Sequence, residues 1–137
     1  MGQTENDLNR LLRAGDEASR TNLKLIDAAM RTAQKIANAV PEEWVGKDDM
    51  GHALGMGYYV KRWHGGRELR WVENSTYASF DIHADTLDQL KLARQLANDI
   101  AAGFLKKLCA QLEAYCAADD QFLTLLQDGE CQIDKIT

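Results

Sequence analysis

The sequence has one proline, three cysteines and no apolar run longer than a few residues. Each scarcity excludes something. A membrane-spanning helix needs about 18 or more consecutive apolar residues, so no membrane partner is expected. Cys109, Cys116 and Cys131 are odd in number and form no C-x-x-C pair. Cys109 and Cys116, seven apart, would share one side of a helix yet stand ~10 Å from each other, beyond disulfide reach. The three are therefore expected to be reduced, partly buried small hydrophobes. Absent too are a G-x-G-x-x-G or G-K-[ST] phosphate loop, an H-E-x-x-H pair and a nucleophile elbow. No metal, no cofactor and no catalytic residue is predicted. The opening Met1–Asp7 is polar and acidic, without the apolar stretch of a secretory leader, which predicts a cytoplasmic protein.

What is present describes a globular chain. The 137 residues are 45% hydrophobic and 27% charged, with a net charge of −5. That length suits a single domain able to bury roughly two-thirds of its unfolded surface. The charge divides unevenly: +1 over residues 1–40, −3 over 41–57, +3 over 58–72 and −6 over 73–137. A surface that grips nucleic acid or anionic lipid all over is excluded, but a local basic patch is not.

Residues 1–40 read as a helical segment. Leu8, Leu11, Leu12, Gly15 and Ala18, then Leu25, Ile26, Ala29, Ala33, Ile36, Ala37 and Val40, recur at three- and four-residue steps. Gly15-Asp16 offers a point at which the helix can break, and Pro41 ends the run by forcing the preceding residue out of helical geometry. Residues 41–57, rich in Gly and acidic residues, read as a long irregular connector. Residues 58–83 carry the β signal. Tyr58–Trp63 and Glu68–Val72 flank a Gly65-Gly66 turn, residues 74–76 make a second turn, and Tyr77–Ile82 alternates as a third strand. Asp85-Thr86 then caps a long helix through residue 116. Ala117–Asp120 predicts a break, residues 121–127 a short final helix, and 128–137 a frayed tail. The fold expected is α+β: a long N-terminal helical segment, a three-stranded antiparallel meander, a long C-terminal helix and a short final one.

The hairpin departs most from the average composition. Six of ten aromatic residues lie between positions 58 and 80, among Lys61, Arg62, Arg67 and Arg70. With Gly65-Gly66 as the turn, Trp63 would oppose Glu68, Lys61 would oppose Arg70, and Val60 would oppose Trp71. Alternation then places Tyr58, Val60, Leu69, Trp71, Ala78, Phe80 and Ile82 on the face toward the helices. The other face shows Tyr59, Lys61, Trp63, Arg70, Val72 and Tyr77. Aromatic rings beside guanidinium and ammonium groups can stack a base, hold a phosphate or anchor an acidic peptide. Tyr59, Lys61, Trp63, Arg67, Arg70 and Tyr77 are accordingly the candidate ligand- or partner-binding residues. An oligomer contact, or Lys and Arg stems shielding the rings, would use the same pattern.

A helix spanning residues 86–116 would be ~46 Å long, against a diameter of about 37 Å for a compact monomer of this size. Either the helices break at Gly15 and Gly103, or a second copy covers the overhang, as in a two-fold dimer. The reading favoured by these features is a non-catalytic homodimer that binds another protein, as an accessory, adaptor or inhibitor. Nucleotide or nucleic-acid binding through the hairpin is the alternative. A third reading, acid–base chemistry at His83 between Asp81 and Asp85, competes with a simple strand-end histidine beside a helix cap.

Overall fold

Ala-, Leu- and Arg-rich composition carries the first helix, α1 (Gly2–Ala39), without interruption for 38 residues. The computed structural model describes residues 2–73, 76–81 and 84–136, with only the backbone of residues 73, 76 and 77. Gly15 does not break α1. A glycine inside an exposed helix costs only about 1 kcal/mol relative to alanine, too little to stop a strong flanking sequence. Pro41 does stop it, with φ −61° and ψ 151°, and a single 3-10 turn, Glu42–Trp44, follows.

The fold is α+β, with a long N-terminal helix, a three-stranded antiparallel sheet and C-terminal helices among the described residues, as the sequence predicts. The strands β1 (Tyr58–Trp63), β2 (Gly66–Glu73) and β3 (Thr76–Ser79) lie in the order β1-β2-β3. The hairpin tip differs from expectation: Trp63 pairs with Gly66, so the turn residues are His64 and Gly65. Both have positive φ, 48° and 78°, the twist that matches a right-handed β ribbon. The register therefore opposes Lys61 to Glu68, Tyr59 to Arg70 and Tyr58 to Trp71. A slip of two residues preserves which side chains share a face, because the strand period is two. Tyr58, Val60 and Leu69, almost wholly buried, lie on the face expected to meet the helices.

Helix α2 (Thr86–Ala101) packs beside α1, and both lie against the sheet. Their buried residues are Ile26, Ala29, Ala33, Ile36 and Ala37 from α1, and Leu90, Leu92, Ala93 and Leu96 from α2. Asp85 occupies the N-cap of α2 without a side-chain hydrogen bond, while its carbonyl accepts from the Gln89 N–H at 2.9 Å.

The connector 41–57 is folded against β1. The Gly46 N–H donates to the Val60 carbonyl and the Arg62 N–H donates to that of Gly46, at 2.9 and 2.8 Å. Further along, the Leu54 N–H donates to the Tyr58 carbonyl. Trp44, Val45 and Leu54 are buried, so the segment shields one edge of the sheet from pairing with another chain.

The chain divides into two compact units, residues 1–102 and residues 103–137. The division falls at Gly103, whose φ of 100° is a conformation a side chain resists. The predicted long helix thus ends at Ala101, and α3 (Phe104–Ile136) runs unbroken for 33 residues. No break occurs at Ala117–Asp120, nor does a separate short helix or a frayed tail follow. Alanines favour the helix there, the aspartates are exposed, and the Thr124 hydroxyl bonds back to the Asp120 carbonyl at 3.0 Å. The three cysteines are exposed on α3 rather than partly buried. At about 100° per residue Cys131 falls opposite its apolar stripe, and Cys109 and Cys116 fall on the flank of that stripe.

Candidate functional site

The six candidate residues separate into two environments. Tyr59, Lys61, Trp63 and Arg70 share the sheet face pointing away from the one that holds Tyr58, Val60 and Leu69. Tyr77 pairs with Val72 in the backbone register, and its side chain lies outside the described residues. Arg67 belongs to the opposite face. Its guanidinium donates to the carbonyls of Ala37 and Val40, at 3.1 and 2.6 Å, and to the Glu42 carboxylate at 2.8 Å.

On the shared face the structure brings Tyr59, Trp63 and Arg70 together. The Arg70 guanidinium carbon stands 5.0 Å from the centre of the Trp63 ring, within cation–π range. Its Nε donates to Glu68 at 2.8 Å. Burial opposes the charge on Arg70, but the hydrogen bond and charge of Glu68, joined by those of Tyr59, outweigh it and hold the group above its usual range. Arg70 is only 6% exposed and Tyr59 is buried, whereas Trp63 is 46% exposed. The face presents an aromatic ring whose underlying cation is already engaged.

Ion pairing accounts for most of the local positive charge. Arg62 and Arg67 both pair with Glu42, and Arg70 pairs with Glu68. Neither carboxylate is among the residues that the sequence singles out for binding. Glu68 was legible, since it sits two residues from Arg70 on the same strand face. Glu42 was not, because it arrives from the connector.

A second group lies between the sheet and α2. The buried Tyr58 hydroxyl donates to Asp99 at 2.7 Å, and the Gln95 amide donates to both Asp99 oxygens at 3.1 Å. Burial, with the Asp99 hydrogen bond and charge, pushes the Tyr58 phenol far above its usual range. Nearby, a cavity of about 690 Å³ is lined by Trp71, Ser79, Lys91, Arg94 and Gln95 among others. Lys91 and Arg94, three residues apart on α2, supply cations there, balanced in part by Asp88. His83, the acid–base candidate, lies outside the described residues. Among the described residues no three His, Cys, Asp or Glu side chains converge as metal ligands, and no helix is long and apolar enough to cross a membrane.

Most of the exposed large apolar residues among those described lie on the helices. Leu8, Leu11, Leu12 and Leu23 of α1 are exposed, as are Phe122, Leu123, Leu125, Leu126, Ile133 and Ile136 of α3. Compared with protein-family models, curated proteins and solved structures, the chain matches none.

Proposed function

We propose that the protein is a non-catalytic, protein-binding molecule that pairs with a second copy of itself through the N-terminal half of α1, serving as an accessory, adaptor or inhibitor in the cytoplasm. One observation carries the reading. Eighteen residues make about five helical turns, so residues i and i+18 stand on one line along the helix. Leu8, Leu11, Leu12, Gly15 and Ala18 thus repeat, five turns earlier, the positions of Ile26, Ala29, Met30, Ala33 and Ile36. The later set is buried or nearly so, whereas residues 2–21 are exposed throughout. One stripe serves both halves, and only one half is covered within the chain.

A second copy suits the exposed half in shape and in charge. An antiparallel pair centred on Gly15 would set Leu8, Leu11 and Leu12 of one copy against Asn22, Ser19 and Ala18 of the other. Large side chains then face small ones, which is how helix surfaces interdigitate, and the patch is self-complementary as a two-fold interface requires. Glu5, Asp7, Asp16 and Glu17 balance Arg10, Arg13, Arg20 and Lys24, so two copies meet without net repulsion.

The hairpin supports nucleotide binding less well. Three of its four cations are held by carboxylates, which leaves little free charge to meet a phosphate. Sedimentation equilibrium at micromolar concentration tests the pairing. The expected mass is twice 15.3 kDa, falling to 15.3 kDa for Leu11→Asp. A wild-type mass of 15.3 kDa throughout that range would overturn it.

A further inference from the structure

The distal half of α3, residues 116–136, combines exposed apolar surface with strong acidity. Phe122, Leu125, Leu126, Ile133 and Ile136 recur at helical steps, and Leu125 and Leu126 are each 67% exposed. Apart from half-buried Gly129, every residue of the segment is exposed. The segment holds Asp119, Asp120, Asp128, Glu130 and Asp134 against Lys135 alone. At about 100° per residue, Asp119 and Glu130 border one side of the apolar stripe, whereas Asp128 and Lys135, about 20° apart, lie on the other.

That pattern selects its occupant. Two copies of this segment, each with a net charge of −4, would bring like charges together along the Asp119–Glu130 border, an arrangement that is destabilising. Anionic lipid and nucleic acid are repelled for the same reason. A helix with an apolar stripe bordered by lysines or arginines matches the stripe and the net acidity that flanks it. Its aliphatic side chains would lie against Phe122, Leu126 and Ile133, and its cations against Asp119, Asp128 and Glu130. We propose that the distal half of α3 is the docking site for a basic amphipathic helix of a partner protein. The proposal rests on the protein-binding reading above but not on self-pairing through α1.

Fluorescence anisotropy of a labelled synthetic Leu/Lys amphipathic helix, titrated with the full-length protein, tests the assignment. A Leu/Glu helix of the same pattern is the control. The expected result is binding of the Leu/Lys helix at least tenfold tighter than of the Leu/Glu helix, weakened by added salt. The triple variant Asp119→Lys, Asp128→Lys, Glu130→Lys should reverse that preference. Leu126→Ser should weaken binding severalfold with the helical circular dichroism retained. Equal binding of the two helices, or undiminished binding by both variants, overturns the proposal. So does a wild-type dimer in sedimentation that Leu126→Ser dissociates, because a second copy would then occupy the stripe. A monomeric wild type that still binds the Leu/Lys helix overturns only the self-pairing through α1.

Discussion

Arg67 of β2 donates a hydrogen bond to the main-chain oxygen of Val40, 2.6 Å away, just past the last residue of α1. A helix ends with carbonyls that have no partner within it, and with the negative end of its dipole. The last turn of α1 contains no basic residue of its own. The sheet supplies the missing cation, and Glu42, the second residue after Val40, accepts from the other terminal nitrogen of the same guanidinium at 2.8 Å. One guanidinium joins helix end, connector and hairpin.

Arg67→Ala should therefore act on stability and leave partner affinity on the Trp63 face unchanged. Lost charge-assisted hydrogen bonds and dipole compensation together imply a cost of about 2 kcal/mol or more. Chemical denaturation checks this. Arg67→Lys should recover only part of the loss, because an ammonium cannot reproduce the fork that reaches Ala37, Val40 and Glu42 together.

The Tyr58–Asp99 pair predicts alkaline sensitivity. The phenol titrates higher in the folded protein than in the unfolded chain, so its contribution is complete below about pH 10 and declines as pH rises beyond it. Denaturation midpoints measured from pH 8 to 11 should fall at the upper end. Tyr58→Phe should flatten that fall while losing about 1.5–3 kcal/mol at neutral pH, the usual worth of a hydrogen bond to a charged group.

How legible this arrangement was in the sequence depended on whether local pattern or distant packing decided each feature. Alternation from Tyr58 to Trp63 and the stripe ending at Val40-Pro41 are local, and they gave strand and helix correctly. The turn at His64-Gly65 was hidden, because a histidine at positive φ competes poorly on propensity with the adjacent Gly65-Gly66. Ala101-Ala102-Gly103 lies inside a stripe that continues through Phe104, so periodicity masked the break. Residues 41–57 read as loop because Gly and acidic residues dominate, yet Trp44, Val45 and Leu54 among them pack against the sheet. For Arg67, composition suggested an exposed binding cation, while its acceptors are positions 25 to 30 residues earlier that no local pattern reveals. Arg70 with Glu68 was readable in principle from the two-residue strand period.

Gly57 should tolerate no side chain. Its φ is 87°, and a Cβ there would stand 2.8 Å from the Val72 carbonyl oxygen and 2.9 Å from Trp71 Nε1. The same residue accepts the Val72 N–H through its own carbonyl, and the Trp71 indole donates to neighbouring Met56. Gly57→Ala combines left-handed strain with a forced shift of β2, a cost of about 2–4 kcal/mol. Thermal unfolding measures the loss, and a blunted or shifted Trp71 fluorescence transition would locate it. Gly15→Ala, with open space around its Cβ position and ordinary helical φ, should by contrast leave the folded monomer as stable or slightly more so.

Substitutions on the exposed half of α1 separate the monomer's stability from that of the pair. Leu11 and Leu12 contact no buried core, as residues 2–21 are all exposed. Leu11→Ser or Leu12→Ser should shift the unfolding free energy of a dilute sample by no more than about 0.5 kcal/mol. In a self-paired molecule each leucine is covered by the second copy, and burial of such a side chain contributes about 1.5–3 kcal/mol. Mass action then makes the melting temperature of the wild type rise with protein concentration. Loss of that rise in Leu11→Ser, with the dilute-limit melting temperature unchanged, is the expected outcome. A wild-type melting temperature independent of concentration, or an equal drop for the variant at every concentration, would place these leucines in the stability of the single chain instead.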